Sequence, residues 1–384
     1  MAPAASKPKL LYLVSEDWYF VSHRLPLAVA ARAAGYDVVV ATRVAEQGAA
    51  IRDAGLRLAP IAFERSGLGP LSEAKTLREL VALYRRERPD IVHHVALKPV
   101  IYGAIAARAA GAQRVVSALM GLGYVFSSDD AKARALRPFV RSALGLALKG
   151  RGSRVIVQNR DDYDGLIRER VARAADVRLI RGSGVDPAHF ALASTASPEP
   201  VVVLPARMLR DKGVLEFCEA ARLLKAEGVR ARFVLCGEPD PLNPASLTEA
   251  EIDAIVRQGA VEYWGWQKSM RDVWLKAQIV CLPSYREGLP KALLEAAASG
   301  LPIVATDVPG CREIVRAGEN GWLVPSRDAS ALAAALREAI ADPERRARLG
   351  ARGRRMVEEE FALARVIDET LGVYRELMAA PERA

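Results

Sequence analysis

The sequence predicts an α/β protein made of two doubly wound parallel-sheet domains in series. Short Val- and Ile-rich stretches alternate with longer Ala-, Leu- and Arg-rich stretches of helical period, which is typical of a parallel sheet covered by helices on both faces. The alternation pauses at the polar, proline-containing residues 194–200 and then restarts. A length of 384 residues also suits about two domains. We therefore expect one domain at residues 1–194 and a second at 195–384.

Each domain has its own set of expected strands. In the first domain they are Leu10–Val14, Asp37–Ala41, Ile91–Val95, Arg114–Ala118 and Arg154–Gln158. In the second they are Val201–Leu204, Arg232–Cys236, Val261–Trp264, Ile279–Leu282 and Ile303–Thr306. The last helix, at about 361–380, is expected to cross back to the first domain. Because doubly wound sheets bind ligands beyond the carboxyl ends of their strands, a cleft between two facing domains is the expected site.

The charge of the chain is concentrated in its first half. Residues 1–195 carry 29 Lys and Arg against 18 Asp and Glu, a net charge of +11, whereas residues 196–384 carry 26 against 28, a net charge of −2. The first half is therefore expected to meet an anionic partner. We expect no nucleic-acid partner, because the basic residues are not interleaved with an aromatic stacking platform and no DNA-binding motif is visible.

Cysteine usage and the N-terminal residues favour a cytoplasmic protein. None of the four cysteines has metal-site or C-x-x-C spacing, which is typical of reduced thiols. The apolar run Leu10–Val14 is too short for a signal-peptide core, and no stretch approaches the 18 or more apolar residues of a membrane span.

The most informative motif lies in residues 281–302. A buried strand ends at Pro283-Ser284, Pro290 suits the first turn of a helix, and Gly300 suits the position just after its end. The turn at Glu287 therefore lies at a strand's carboxyl end, beside a helix N-terminus that is suited to phosphate. Glu295 follows eight residues later inside an apolar helix, where a lone acid needs a functional reason.

A second motif follows the first strand of the second domain. Residues 205–213 read Pro-Ala-Arg-Met-Leu-Arg-Asp-Lys-Gly and contain Arg207 and Lys212. Two cations at a strand's carboxyl end can neutralise a diphosphate leaving group without a metal ion.

These two motifs resemble a known family. Glu287-x7-Glu295, with Pro-Ser before it and Gly-Leu-Pro after Glu287, resembles the signature of the GT4 family of retaining glycosyltransferases, which have the GT-B fold. The segment from Arg207 to Gly213 resembles the family's Arg-x4-Lys-Gly. The resemblance implies that Glu295 binds the nucleotide ribose, Glu287 contacts the donor sugar, and Arg207 and Lys212 bind the donor diphosphate.

The resemblance extends to further donor-side positions and covers nearly the whole chain. It implies contacts to the nucleotide sugar from Gly288, Leu289, Gly237, Trp266 and Gly310, although a structural turn explains Gly310 equally well. No bound metal is implied, and the expected donor is a UDP-sugar.

The acceptor side is expected in the first domain, where three loops follow strands. The candidate residues on the acceptor side, and the two histidines considered for catalysis, are His23, Arg24, Lys98, Gly121, Tyr124, His93 and His94. Side chains alternate along a strand, so at most one of His93 and His94 faces the site.

Two sequence pieces, Gly-Leu-Gly-Tyr-x-Phe and His-His-x3-Lys-Pro, resemble a GT4 subgroup that extends polyprenyl-diphosphate-linked sugars for O-antigen, capsule or glycoprotein glycans. The stretch Lys132–Arg154 lies in a run of 24 residues with seven Lys and Arg and no acid. A basic amphipathic segment of this kind can lie on an anionic membrane, here the cytoplasmic face of the inner membrane; an ordinary solvated helix is the other interpretation.

The sequence therefore predicts a glycosyltransferase that moves an N-acetylhexosamine or a derivative from a UDP-sugar to a lipid-linked or glycan acceptor. A nucleotide-sugar epimerase of the same architecture and a glycosyltransferase with a soluble acceptor are the alternatives. A dinucleotide-dependent oxidoreductase is disfavoured, because residues 15–18 after the first strand contain no glycine.

Overall fold

The computed structural model describes residues 7–63, 69–121, 131–150, 152–191 and 199–380. The chain divides into two compact units, which are Met1–Ser183 with Val366–Ala384 (unit 1) and Gly184–Arg365 (unit 2). Unit 2 begins before the boundary at residue 194 that the sequence suggests, because Val185 pairs with Ala362 and Phe190 packs in a core of unit 2. Most of the expected linker lies outside the described residues.

The described part of unit 1 contains a seven-stranded parallel sheet in the order β3-β2-β1-β4-β5-β6-β7. Its strands are β1 (Lys9–Glu16), β2 (Asp37–Arg43), β3 (Arg57–Pro60), β4 (Ile91–Val95), β5 (Val115–Leu119), β6 (Ser153–Val157) and β7 (Val177–Leu179). The five predicted strands are present. The strands β3 and β7 are not among the predicted ones, because they are short, contain arginine and lack an unbroken apolar run.

Helices cover both faces of this sheet. They are α1 (Asp17–His23), α2 (Leu25–Ala33), α3 (Gly48–Asp53), α4 (Pro70–Glu87), α5 (Leu97–Ala110), α6 (Ala131–Leu148) and α7 (Arg160–Arg168), together with the C-terminal helix Leu363–Ala379. Alternate residues of β1 enter different cores, so that Tyr12 packs with Tyr374 of the C-terminal helix while Leu11 and Leu13 pack on the other side.

The described part of unit 2 contains a six-stranded parallel sheet in the order β10-β9-β8-β11-β12-β13. Its strands are β8 (Val201–Pro205), β9 (Arg232–Cys236), β10 (Glu262–Gly265), β11 (Ile279–Leu282), β12 (Ile303–Thr306) and β13 (Gly321–Val324). All five predicted strands are again present. Val202 and Leu204 pack on one face of the sheet and Val201 and Val203 on the other, which explains the uninterrupted apolar runs.

Four of the seven helices described in unit 2 begin after a residue whose side chain caps them. The seven helices are α8 (Val214–Ala226), α9 (Glu249–Arg257), α10 (Met270–Lys276), α11 (Lys291–Ala298), α12 (Pro309–Ile314), α13 (Ala329–Ala341) and α14 (Pro343–Met356). Thr248 and Glu251 form a reciprocal capping box at α9. Helix α11 begins directly after Pro290 and ends at Ser299, and Gly300 follows with a φ of +74°. The sequence predicted this helix with nearly these ends.

The C-terminal helix is joined to the sheet of unit 1 by buried hydrogen bonds. The Tyr374 hydroxyl lies 2.8 Å from the Tyr12 hydroxyl and 2.6 Å from His93 Nδ1. We expect Tyr374→Phe to lower the free energy of unfolding by about 1–3 kcal/mol, because it leaves buried polar groups without a partner. Denaturant unfolding measures this. Tyr36→Phe is the control, since the Tyr36 hydroxyl makes no hydrogen bond to a described residue; equal losses in both variants would contradict the expectation.

Candidate active site

The strand order of unit 2 places one candidate site at the centre of its sheet. The chain leaves β8 toward β9 on one side, and the neighbour on the other side is β11. Ligands of doubly wound sheets bind at such a point, beyond the carboxyl ends of the strands. The loops that follow β8, β9 and β11 begin at Ala206, Gly237 and Pro283, and they carry the donor-side residues that the sequence singles out.

Lys212 and Glu287 form an ion pair at this edge. Lys212 Nζ lies 2.6 Å from Glu287 Oε1, and Ser284 Oγ donates a hydrogen bond of 2.7 Å to the same oxygen. Lys212 ends a 3-10 turn, and Gly213 follows with a φ of +71°. A Cβ at Gly213 would lie 2.2 Å from the Pro283 carbonyl oxygen. Only glycine allows this close approach, which brings the loop after β8 against the loop after β11.

Arg207 follows β8 and pairs with Asp240. A Cβ at Gly237 would lie 1.9 Å from the Ala206 carbonyl oxygen, and Gly237 has a φ of +146°. Gly237 therefore lets the loop after β9 contact the backbone beside Arg207. The sequence analysis missed Asp240, because nothing in its local pattern separates it from an ordinary loop acid.

Glu295 lies on α11 and is only 8% exposed. Its carboxylate lies 3.4 Å from Lys291 Nζ. Burial raises the pKa of Glu295, and the opposing charge of Lys291 moderates that increase. His189 is also close enough to affect the pKa of Glu295. A buried carboxylate next to a partly exposed cation is well suited to accept hydrogen bonds from a bound ligand.

Gly310 supports the turn that carries Glu287. It lies on α12, and a Cβ at this position would lie 2.5 Å from the Gly288 carbonyl oxygen and 2.7 Å from that of Glu287. The structure therefore shows a packing role for Gly310, which the sequence analysis weighed equally with ligand contact. Leu289 packs against a core cluster of unit 2.

Trp266 follows β10 and is 62% exposed. The carbonyl oxygen of the preceding Gly265 accepts a hydrogen bond of 2.9 Å from the Gly237 backbone N–H. This backbone hydrogen bond connects the segment that carries Trp266 to the loop after β9, which carries the donor-side candidate Gly237.

Tyr285 is a further residue of the site region that the sequence analysis did not select. Its hydroxyl donates a hydrogen bond of 2.5 Å to Glu216, and the Arg327 guanidinium lies 4.6 Å from the centre of its ring. Its position directly after Pro283-Ser284, at the carboxyl end of a predicted strand, was the sequence signal that could have identified it as a site residue.

His94 lies in the core of unit 1, beside Tyr84 of α4. The ring is fully buried, Nε2 lies 3.0 Å from the Tyr84 hydroxyl, and the ring stacks on that of Tyr84. Burial lowers the pKa of His94 to about 3. His93 points to the opposite face of β4, as alternation requires, and is also fully buried.

The other candidates of unit 1 have different surroundings. His23 stacks on Tyr19 at 4.2 Å, and Arg24 is buried beside Met120. Lys98 lies 2.9 Å from Glu73, so its charge is neutralised within the unit.

Two further candidates follow β5. Gly121 has a φ of +101°, a value that glycine adopts without strain. Tyr124 lies outside the described residues.

The basic stretch Lys132–Arg154 divides into a partly exposed helix and a strand. On α6, Phe139 is 75% and Leu146 is 66% exposed. Arg154 lies instead on β6, where it pairs with Glu376 at 2.7 Å. Arg154 is thus a structural residue rather than part of a membrane-facing surface, which corrects the expected extent of the segment.

An Asp-x-Asp sequence, Asp162-Tyr163-Asp164, lies on α7. Asp162 accepts a hydrogen bond of 2.8 Å from Asn159 Nδ2, and Asp164 lies 3.5 Å from Arg160. Within the described ranges, no three His, Cys, Asp or Glu side chains are grouped to hold a metal ion.

Comparison with known families adds an independent observation. A model described as "Glycosyl transferase 4-like" matches residues 9–159, and one described as "Glycosyl transferases group 1" matches residues 199–342. The chain belongs to the GT4-like glycosyltransferases. The two matches fall on different units, so both halves of this glycosyltransferase carry the family's sequence pattern.

Curated relatives of this glycosyltransferase include two bacterial enzymes. One is the N,N'-diacetylbacillosaminyl-diphospho-undecaprenol alpha-1,3-N-acetylgalactosaminyltransferase of Campylobacter jejuni, 27% identical over 85% of this chain and 88% of that protein. Another is the UDP-Gal:alpha-D-GlcNAc-diphosphoundecaprenol alpha-1,3-galactosyltransferase of Escherichia coli, 26% identical over 69% of this chain and 71% of that protein.

Solved structures confirm the predicted fold class. Sucrose-phosphate synthase from Thermosynechococcus elongatus matches with a TM-score of 0.81 at 22% identity, over 98% of this chain and all of that one. Anabaena HepE in complex with UDP and glucose matches with a TM-score of 0.75 at 17% identity, over 96% of this chain and 99% of that one. The GT-B fold is therefore confirmed, and the prediction of a glycosyltransferase is confirmed by the two family models. Every helix that the structure describes is too short or too polar to span a lipid bilayer.

Proposed function

We propose that this glycosyltransferase transfers a sugar from a UDP-sugar to a polyprenyl-diphosphate-linked sugar, with retention of the anomeric configuration. The observation that carries the proposal is the cluster at the centre of the sheet of unit 2, where Lys212 pairs with Glu287 and α11 carries the buried Glu295. The cluster provides one cation, Lys212, that can bind a diphosphate, and two carboxylates, Glu287 and Glu295, that can accept hydrogen bonds from sugar hydroxyl groups.

In this proposal Glu295 binds the nucleotide. An ionised carboxylate has two oxygens that can each accept a hydrogen bond from one of the vicinal hydroxyls of a ribose. Burial raises the pKa of Glu295 in the unbound protein, and two donated hydrogen bonds stabilise the ionised form when the nucleotide binds.

Lys212 and Arg207 bind the diphosphate, and Glu287 orients the donor sugar. The acceptor hydroxyl oxygen attacks the anomeric carbon while the bond from that carbon to the diphosphate oxygen breaks. The bonding electrons pass to the departing diphosphate, and one of its oxygens on the same face takes the hydroxyl proton. The side chains of the protein then supply orientation and charge stabilisation, and we propose that no metal ion is required.

The acceptor class in the proposal rests on the relatives. The enzymes of Campylobacter jejuni and Escherichia coli are named for acceptors linked to undecaprenol through a diphosphate. We accordingly propose an N-acetylhexosamine or a derivative as the transferred sugar, surface-polysaccharide synthesis as the process, and the cytoplasmic face of the inner membrane as the location. The exposed Phe139 and Leu146 of α6 support attachment through the basic segment.

A thermal-shift experiment with UDP, GDP and ADP in EDTA tests the donor site. UDP at about 100 times its dissociation constant should stabilise the wild type by about 2.7 kcal/mol. Glu295→Gln should weaken UDP binding about ten- to a hundredfold, because removing a charged hydrogen-bond acceptor costs roughly 1.5–3 kcal/mol. Glu344→Gln is the control, since Glu344 is exposed on α14.

The pKa of Glu295 adds a second expected result. A folded-state pKa above the unfolded-state value means that the fold favours the protonated carboxyl, so the contribution of Glu295 to stability falls as pH rises through its folded-state pKa. Glu295→Gln without nucleotide should therefore melt above the wild type at pH 8, and the difference should shrink toward pH 4. A wild-type UDP shift retained in Glu295→Gln contradicts the donor-site assignment.

A further inference from the structure

Unit 1 contains a buried cation without a carboxylate partner among the described residues. Arg24 lies between α1 and α2 and is only 4% exposed. Its Nη2 donates to the Met120 sulfur at 2.6 Å, and its buried Nε–H has no acceptor within the described part of the chain. A thioether is a weak, uncharged acceptor. Because an unpaired buried charge is unfavourable, the site is suited to an incoming anion.

The acids that precede Arg24 are already engaged. Glu16 accepts hydrogen bonds from Arg43 at 2.6 and 3.1 Å. Asp17 Oδ2 accepts hydrogen bonds of 2.8 Å from the backbone N–H groups of Ala45 and Gln47. Glu16 Oε1 is buried without a hydrogen-bond partner among the described residues, but neither Glu16 nor Asp17 forms an ion pair with the Arg24 guanidinium.

The groups around Arg24 are neutral and polar. Tyr12 and Tyr374 share a hydrogen bond, and Tyr374 also lies 2.6 Å from His93 Nδ1. Burial lowers the pKa of His93, and the nearby charge of Arg24 lowers it further, so the ring is neutral near pH 7. His93 Nε2 is buried and has no hydrogen-bond partner among the described residues. When Nδ1 accepts from Tyr374, Nε2 carries the proton and is a second donor.

The position of these groups in the sheet is that of a ligand site. The order of unit 1 places β1 beside β4 and β4 beside β5, and β1 is where the chain changes direction along the sheet. Arg24 follows β1 through α1, and Met120 directly follows β5. The guanidinium is therefore at the carboxyl edge of the central strands, where doubly wound sheets bind ligands.

We propose that Arg24, with the neutral His93 beside it, binds a phosphate group of the acceptor substrate. This inference rests on the proposed function, in which the acceptor carries a diphosphate. The diphosphate of the donor has its own cations in Arg207 and Lys212, so the anion for Arg24 belongs to the acceptor. The planar guanidinium suits two parallel hydrogen bonds to phosphate oxygens.

Kinetics with two acceptors test the proposal. One acceptor carries the sugar on a short polyprenyl diphosphate, and the other carries the same sugar on an uncharged alkyl chain. Arg24→Gln should raise KM for the diphosphate acceptor at least tenfold and leave KM for the UDP-sugar unchanged. The loss in kcat/KM on the alkyl glycoside should be much smaller, because that acceptor has no phosphate for Arg24 to bind. Arg24→Lys should give an intermediate KM, since a lysine keeps the charge but loses the planar pair of donors.

The control is Arg32→Gln, because Arg32 is exposed on the neighbouring helix α2. An equal loss of activity on both acceptors in Arg24→Gln would show a structural role and overturn the proposal. An unchanged KM for the diphosphate acceptor would also overturn it.

Direct binding separates this inference from the proposed function. Calorimetry with inorganic diphosphate is carried out with saturating UDP, which occupies the donor site, so that the titrated anion can bind only elsewhere. Wild type should bind inorganic diphosphate at least ten times more tightly than Arg24→Gln, even if the acceptor class is wrong. If Arg24→Gln does not fold, the wild type decides: inhibition by inorganic diphosphate that is competitive with the acceptor supports the site, and the absence of such competition overturns it.

Discussion

Replacing Lys212 with methionine is expected to lower kcat for sugar transfer about a hundred- to a thousandfold, the usual effect of removing one group that stabilises developing charge. Lys212 is positioned by the turn before Gly213 and lies 2.6 Å from Glu287. Methionine has a similar length but no charge, so the departing diphosphate loses a cation while the packing is largely kept. Steady-state kinetics with a UDP-sugar and its acceptor measures the effect.

The same substitution leaves Glu287 with Ser284 as its hydrogen-bond donor. We therefore expect Lys212→Met to lose stability as well, because a mostly buried carboxylate loses its cation. The double variant Lys212→Met/Glu287→Gln should recover stability, because no buried carboxylate is left unpaired, while kcat stays low because Glu287 itself orients the donor sugar in the proposal. Lys225→Met is the control, since Lys225 is exposed on α8 and, among the described residues, its ammonium group donates only to the backbone carbonyl of Gly259. A kcat within threefold of the wild type in Lys212→Met would exclude the proposed role in diphosphate departure.

Gly310→Ala is expected to lower kcat/KM about a hundredfold while the protein still folds. The added methyl group would meet the carbonyl oxygens of Gly288 and Glu287 at 2.5 and 2.7 Å, so the turn has to move. A displacement of about 1 Å at a reacting group can cost about a hundredfold in rate, and overpacking of this kind costs roughly 1–3 kcal/mol of stability.

Gly353→Ala is the matched control for this substitution. Gly353 is also buried on a helix of unit 2, but its added Cβ would have only ordinary contacts, 3.6 Å from Ala297 and Asn320. Activity and melting temperature should both be measured. If Gly310→Ala kept full activity, the turn at Glu287 could not be the part of the site that orients the donor sugar.

The donor-side cluster was accessible from the sequence because local motifs determine it. Residues 205–213 and 283–295 each begin at the end of an apolar strand. A doubly wound order then makes β8 and β11 neighbours, which brings Lys212 to Glu287. The strand positions depend on long apolar runs, and those runs were read correctly.

The burial of His93 and His94 could not be predicted from local sequence motifs. Alternation places His93 and His94 on opposite faces of β4, but helices cover both faces and bury both rings. Tyr374, the partner of His93, lies 281 residues further along the chain, and no local pattern links them. The burial of Arg24 has the same origin, because it results from tertiary packing rather than from the pattern around it. The edge strand β13 was missed because its four residues begin with glycine and lack an apolar run of normal length.

The return of residues 366–384 to unit 1 has a consequence for synthesis of the protein on the ribosome. Unit 2 is contained within unit 1 in chain order, so all of its residues are synthesised before Tyr374, the partner of His93. Until the last helix is made, Tyr12 and His93 of unit 1 lack their hydrogen-bond partner Tyr374, whereas every residue that forms the core of unit 2 has been synthesised. A released chain that ends at residue 365 should therefore show a protease-resistant unit 2 and a protease-sensitive unit 1, and adding the last helix in trans should protect unit 1.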